Sequence, residues 1–231
     1  MSTMGGPSSG SSQYRIVVAL LVVLFLVAGF LRLNDFSLYT PDSVRYVIWG
    51  SSLAHGHGFV DDTQPEAQRF VEHAPLYALL LAPAGLVAPL SLSAAKCTTL
   101  VWGALVIVLA GAWFRRRLSE TGALAAILLL VVSPLLFIYS TEALSEAPFL
   151  AFLLGILLLV ERAAFDGTPS KGEWYLLVLL VATVGLLREV GAAVALAVVV
   201  FLAVRRRFLR AGLLALASAG MLLVWYVRNQ V

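Results

Sequence analysis

Residues 34–75 read NDFSLYTPDSVRYVIWGSSLAHGHGFVDDTQPEAQRFVEHAP, a polar loop between two hydrophobic segments. This loop contains all three histidines of the chain and six of its acidic residues, but only two arginines. Ionisable side chains are expensive to place near lipid, so their accumulation in one loop of an apolar protein indicates a chemical site. We therefore expect a membrane-embedded scaffold that carries an early, chemically active polar loop.

The composition predicts the fold class. The chain of 231 residues is 61% hydrophobic and 13% charged, with a mean hydropathy of +0.94. Soluble domains usually contain about 45–50% apolar and about 25% charged residues. Long runs of Leu, Val and Ala are typical of helices that span a bilayer. The sequence therefore predicts an all-α, polytopic membrane helix bundle without a soluble domain, and the single cysteine excludes an intramolecular disulfide.

Two regions are expected along the chain. Residues 1–15 begin with a Gly/Ser-rich stretch and are predicted to be a disordered tail, and residues 16–231 form the transmembrane module. We interpret the first hydrophobic segment as an uncleaved span rather than a signal peptide. The eight hydrophobic segments are residues 16–31, 76–90, 95–114, 123–139, 147–160, 174–187, 190–204 and 211–227.

The basic clusters predict an orientation, because Lys and Arg accumulate in cytoplasmic loops. Placing residues 115–117 and 205–210 inside puts the polar loop, the break at 140–146 and Arg188 outside. This arrangement requires residues 76–114 to cross the membrane an odd number of times, although they contain two hydrophobic runs. A re-entrant first run or one broken span would satisfy the requirement, whereas two full crossings would violate it.

The first candidate group lies at the start of a short amphipathic helix, expected from Pro41 to about His55 at the membrane surface. Asp42, Arg45 and Tyr46 share one face of this helix. Asp42 would serve as a general base while Arg45 holds a phosphate. The alternative is that Asp42 caps the helix and pairs with Arg45.

A second candidate group is the pair Glu72 and His73. Both are metal-ligand types, and His55 and His57 offer further nitrogens in the same loop. The spacing matches no fixed metal motif, so a polar turn beside the membrane is the competing interpretation.

Two further groups lie between later segments. Glu142 and Glu146 are four residues apart, so on one helix they would share a face and repel each other. The alternative is a polar turn between spans. Arg188 would hold a lipid phosphate, or form a turn pair with Glu189.

Taken in order, these motifs resemble a known enzyme family. Residues 42–46, Asp-Ser-Val-Arg-Tyr, resemble the Asp-Glu-x-Arg-Tyr signature of polyprenol-phosphate-sugar-dependent glycosyltransferases of the GT-C fold. This family includes protein O-mannosyltransferases and the lipid A aminoarabinose transferase. Segments similar to its later motifs are residues 70–77, 133–134, 143–146, 185–188 and 225–229.

The resemblance implies a hexosyl- or pentosyltransferase that uses a polyprenyl-phosphate-linked sugar. The acceptor would be a lipid, a glycan or a protein at the extracytoplasmic face of the plasma membrane. Asp42 would be the catalytic residue, Arg45 or Arg188 would lie near the lipid phosphate, and Glu72 would lie near a divalent metal ion. The other implied substrate-binding residues are Tyr46, His73 and Glu146. The expected partners are the sugar donor, the acceptor and membrane lipids, with no nucleic acid.

The chain departs from the family pattern at several positions. Ser43 replaces the second acid, which weakens the expectation of a metal, and His73 replaces a lysine, which predicts pH-dependent phosphate binding. Family members are much longer, so we expect this chain to be an N-terminal module whose C-terminal remainder is missing. The alternatives are a non-enzymatic membrane protein, such as a transporter or assembly subunit, and a catalytically inactive truncated relative.

Overall fold

A computed structural model of the chain describes residues 9–36, 41–66, 68–165 and 169–230. These residues confirm the predicted all-α membrane bundle, with a two-stranded antiparallel sheet in the polar loop. The described helices are α1 (Ser9–Arg32), α2 (Pro41–Ala54), α3 (Leu76–Val87), α4 (Leu92–Arg117), α5 (Glu120–Val131), α6 (Pro134–Thr141), α7 (Glu146–Phe165), α8 (Lys171–Leu187), α9 (Gly191–Val204) and α10 (Phe208–Gln230). The strands are β1 (Val60–Asp61) and β2 (Gln68–Arg69).

Charged side chains mark two opposite ends of the bundle. The basic end carries the arginine clusters at 115–117 and 205–210: Arg117 lies 3.1 Å from Glu161 near the end of α7, and Arg207 donates to the carbonyl of Ala163. The site end carries the polar loop and the start of α7. Helix α7 therefore runs from one end of the bundle to the other.

Three described helices are long and apolar enough to cross a bilayer: Ser12–Arg32, Leu92–Arg117 and Phe208–Gln230. Helices α5 and α6 together make a fourth candidate, bent by 54° at the break between them. Pro134 begins α6, and proline cannot donate the backbone hydrogen bond that would continue α5. The chain is thus a multi-pass membrane protein. The hydrophobic segment predicted at residues 123–139 corresponds to the bent pair of helices α5 and α6.

Residues 76–117 contain one helix of spanning length. Helix α4 has 26 residues, whereas α3 has 12 and is about 18 Å long. Tyr77, in the first turn of α3, lies 2.6 Å from the hydroxyl of Thr99 in the first third of α4. Leu90, with φ of 58°, lies in the reversal between the two helices. Both ends of α3 therefore lie near the start of α4, as the predicted re-entrant run requires.

The first helix begins earlier than the sequence predicts. Helix α1 starts at Ser9, so residues 9–15 of the expected tail are helical, and the preceding part of that tail lies outside the described residues. Tyr14 accounts for the extension, because its buried hydroxyl donates to the carbonyl of Gly111 on α4 over 2.8 Å. By contrast, α2 begins at Pro41 and ends at Ala54, as predicted.

Two glycines bring α2 against α3. A Cβ on Gly85 would lie 2.9 Å from the Cα of Ser51, and a Cβ on Gly50 would lie 2.9 Å from the Cβ of Leu81. Such distances are too short for any larger residue without a shift of the helices. The surface helix that carries Asp42 is therefore packed tightly on protein, not only on lipid.

A buried ion pair joins three parts of the site end. Lys96 on α4 is 1% exposed, and its ammonium lies 3.1 Å from Glu142 Oε2, at the end of α6. The two charged groups are close enough to form an ion pair, although this oxygen accepts no well-directed hydrogen bond. Lys96 also donates to Asn34 Oδ1 (3.1 Å) and to the carbonyl of Phe36 (2.5 Å), both beyond α1. Three partners match the three donors of an ammonium.

This arrangement decides between the two interpretations of Glu142 and Glu146, in favour of a polar turn between helices. Glu142 and Glu146 do not share a helix face, because Glu142 follows α6 and Glu146 begins α7. Each has its own cation, Lys96 for the first and Arg188 for the second. The turn between them removes the repulsion expected of two carboxylates on one helix.

Replacing Lys96 by methionine should strongly destabilise the protein, because Glu142 would be left as an uncompensated buried charge. We expect a loss of about 3–5 kcal/mol in the free energy of unfolding, measured by thermal unfolding in detergent. The double variant Lys96→Met/Glu142→Gln should recover most of this loss. A Lys96→Met protein as stable as the exposed control Lys171→Met would contradict the assignment.

Candidate functional site

A cavity of about 400 Å³ lies at the site end of the bundle. Its wall brings together α2, the end of the polar loop, the turn before α7 and the turn after α8. The residues of this site cavity are Asp42, Tyr46, His73, Ala74, Ser145, Leu187, Arg188, Glu189 and Val190. Three of the regions that the sequence predicts on one side of the membrane thus meet in one space.

Asp42 and His73 lie next to each other in the site cavity. Asp42 Oδ1 lies 3.4 Å from His73 Nε2, and the side chains are 40% and 29% exposed. The two side chains are close enough to form an ion pair, but Nε2 of His73 makes no well-directed hydrogen bond. A carboxylate with accessible lone pairs can accept the proton of a hydroxyl group that enters the cavity.

Tyr46 provides an aromatic wall beside this pair. Its ring packs edge-on against Tyr77, with 4.7 Å between centroids, and lies 5.5 Å from the ring of His73. Burial raises the pKa of the Tyr46 phenol, and a hydrogen bond with Ser145 partly opposes this shift. The phenol therefore stays protonated at physiological pH and can act as a hydrogen-bonding group.

The two arginines predicted to bind phosphate have different surroundings. Arg188 lies in the wall of the site cavity, where Nη1 is 2.5 Å from Glu146 and 3.2 Å from the hydroxyl of Ser145. Arg45 is not part of this wall and forms an ion pair with Glu72. A guanidinium has five N–H donors, so Arg188 retains donors for an anion in the cavity.

Glu72 belongs to a neighbouring cavity of about 370 Å³. This second cavity adjoins the site cavity at His73, Ala74 and Glu189, which line both. The rest of its wall comes from Val71 in the polar loop and from residues of α8, α9 and α10: Gly185, Ala192, Leu222, Trp225, Tyr226 and Asn229. Two separate spaces thus reach His73 from different sides.

The predicted metal ligands do not assemble into a cluster. Among the described residues, no group of three or more His, Cys, Asp and Glu side chains could hold a metal ion. His55 Nδ1 lies 2.8 Å from the carbonyl of Ser51, and His57 Nδ1 lies 2.5 Å from Asp62. The ion pair with Arg45 already engages the carboxylate of Glu72. A metal ion at Glu72 therefore remains a prediction from resemblance, without support from the donor set.

Arg228, in the last turn of α10, holds the polar loop in place. Its guanidinium donates to the carbonyl of Phe59 over 2.7 Å and to the carbonyl of Phe70. It also lies 5.0 Å above the ring of Trp225. Phe59 and Phe70 flank the two strands of the loop, and Phe70 lies just before His73 in the chain. The end of α10 thus positions the segment that carries His73.

Three residues at the site end have no role in the sequence prediction: Lys96, Ser145 and Arg228. Lys96 carries a usable signal, because a lysine within a hydrophobic run needs a partner. Ser145 lies within one of the family-like motifs, next to a predicted acid. Arg228 also lies within a family-like motif, residues 225–229, but its contacts with the loop could not be predicted because its partners there are backbone carbonyls, which every residue has.

The variant Arg228→Met should loosen the polar loop while leaving the bundle folded. We expect amide hydrogen exchange across residues 59–70 to rise about tenfold or more, because two partly buried carbonyls lose a charged donor. Arg210→Met is the matched control: Arg210 is also on α10 and lies 5.1 Å above the ring of Trp174, at the basic end. Equal exchange in both variants would contradict the role given to Arg228.

Comparison with known proteins gives one match. The family model described as dolichyl-phosphate-mannose-protein mannosyltransferase matches residues 72–227. The matched region contains α3 to α9 and most of α10, and it includes His73, Glu146 and Arg188. It begins after the helix that carries Asp42. No curated protein and no solved structure matches the chain.

Proposed function

The chain belongs to the dolichyl-phosphate-mannose-protein mannosyltransferase family, of GT-C type, and from this premise we propose that it transfers a sugar from a polyprenyl phosphate carrier to an acceptor. Family membership makes it a multi-pass membrane glycosyltransferase. The observation that carries the proposal is the site cavity, which places the Asp42 carboxylate and the Arg188 guanidinium in one wall. The proposal covers hexose or pentose donors and lipid, glycan or protein acceptors.

In the proposed reaction, Asp42 accepts the proton of the acceptor hydroxyl as that oxygen bonds to the anomeric carbon of the sugar. The bond between the anomeric carbon and the phosphate oxygen breaks, and its electron pair leaves with the lipid phosphate. Arg188 stabilises the charge that develops on the phosphate. His73, 3.4 Å from Asp42, orients the carboxylate, and Tyr46 limits the space beside it.

We place this reaction at the extracytoplasmic face of the plasma membrane. The basic end contains both arginine clusters, and such clusters favour the cytoplasmic side. The site end then faces outward. This orientation requires residues 76–117 to cross the membrane an odd number of times, and it is supported by α4 being the one helix of spanning length among them.

Replacing Asp42 by asparagine should reduce sugar transfer by about 10²–10⁴-fold, the usual contribution of a general base. The measurement is transfer from a polyprenyl-phosphate-linked sugar by the purified chain, with expression and membrane insertion checked separately. Asp62→Asn is the matched control, since Asp62 is in the same loop, outside the wall of the site cavity. Unchanged transfer by Asp42→Asn would remove the residue from the mechanism.

The two arginines should differ in their effect on the donor. Arg188→Gln should lower kcat/KM for the donor by about 10²–10³-fold, because the developing phosphate charge loses its cation. Arg45→Gln should lower it less than Arg188→Gln, since Arg45 pairs with Glu72 outside the site cavity. Steady-state kinetics with a varied donor concentration measures both. A larger loss for Arg45→Gln would indicate that the lipid phosphate binds at Arg45 on α2 and not at Arg188.

A further inference from the structure

The basic end has an apolar groove far from the site cavity. It lies between α1 and α4 and has a volume of about 640 Å³, within the range of about 300–1,000 Å³ typical of ligand pockets. From its mouth at the basic end, the groove extends along α1 as far as Val23 and along α4 as far as Val108. The groove therefore begins at the charged end of the bundle and continues toward the middle of two spanning helices.

Small residues keep this groove open. Ala19 on α1 and Gly111 and Ala112 on α4 line it, with Val18 and Val22 beside them. Tyr14 lies beside the mouth of the groove, where its hydroxyl donates to the carbonyl of Gly111 and so joins α1 to α4. The wall is almost wholly apolar and faces the lipid side of the bundle, so an acyl chain fits it better than a polar ligand would.

Two arginines line the mouth of the groove. Arg15 is exposed and has no ion-pair partner among the residues that the structure describes. Arg115 lies 5.6 Å above the ring of Tyr14, and its Nη2 is 3.1 Å from Glu120. Even with Glu120 present, the mouth has an excess positive charge, and the remaining guanidinium donors of Arg115 can bind an oxyanion.

We propose that this groove binds one anionic glycerophospholipid of the surrounding bilayer, with an acyl chain along α1 and α4 and its phosphate at Arg15 and Arg115. A long apolar wall that ends in two guanidinium groups matches the two parts of such a lipid. A zwitterionic lipid brings an ammonium group beside the same arginines, and it therefore binds more weakly. This site is separate from the sugar-transfer site and does not depend on the proposed reaction.

The test uses the full chain purified in mild detergent and supplied with either dioleoylphosphatidylglycerol or dioleoylphosphatidylcholine. Native mass spectrometry measures the lipid retained, and thermal unfolding measures the stabilisation that bound lipid confers. We expect phosphatidylglycerol to bind about tenfold more tightly than phosphatidylcholine. The double variant Arg15→Gln/Arg115→Gln should lose this preference.

The matched control is Lys171→Gln/Arg206→Gln, which removes the same charge from the basic end, at the start of α8 and in the turn after α9, away from the groove. This control should keep the lipid preference. A further variant, Ala112→Phe, fills the groove without changing its charge and should reduce lipid retention; it tests the proposal even if the double arginine variant does not fold.

Three results would overturn the proposal. The first is equal retention of the two lipids by the unaltered chain. The second is a preference that survives both the double arginine variant and Ala112→Phe. The third is stabilisation by inorganic phosphate as large as that by phosphatidylglycerol, since an acyl chain would then contribute nothing.

Discussion

Lys96 and Glu142 lie 3.1 Å apart with almost no exposure to solvent, inside the end of the bundle that carries the site. Either charge alone would be costly there, so the segments that hold them must stay together. The same ammonium binds two groups beyond α1, on the chain that leads toward Asp42. Ser145 follows Glu142 by one short turn. One buried cation thus contacts two stretches of chain, one leading to α2 and one to Ser145, and both supply residues that line the site cavity.

The site cavity lies between two layers of different origin. One layer, α2 with the end of the polar loop, lies across the site end of the bundle and supplies Asp42 and His73. The other consists of the ends of long helices and supplies Ser145 and Arg188. The close packing of α2 on α3 and the hydrogen bonds from Arg228 fix the first layer onto the second. A carboxylate and a guanidinium from separate parts of the chain can therefore line the same cavity.

Much of this architecture could be predicted from the sequence. Hydropathy predicts the fold class, and the Pro41-Asp42 start and the flexible His-Gly repeat predict the limits of α2. The positions of the basic clusters predict that Asp42, His73 and Arg188 share one side of the membrane. These features depend on local composition and spacing, which a single sequence contains.

The partners of the charged groups could not be predicted in the same way. Arg188 pairs with Glu146 from another helix rather than with its neighbour Glu189. Spacing alone leaves open whether Glu142 and Glu146 share a helix or are separated by a turn, and the structure shows a turn. Such pairings depend on which helices pack together, and the hydrophobic pattern does not specify this because most faces of these helices are apolar.

The contact between Arg228 and the polar loop has a mechanical consequence. Only 17% of the apolar stretch of helix α10 is buried within the bundle, so most of this helix faces lipid. Its last turn nevertheless holds the backbone near His73. A change in helix tilt is one way in which a spanning helix accommodates a change in the hydrocarbon thickness of the bilayer. A change in tilt would displace the loop through the guanidinium. We therefore expect the distance between His73 and Asp42 to depend on membrane thickness, and thus on the lipid composition in which the protein resides.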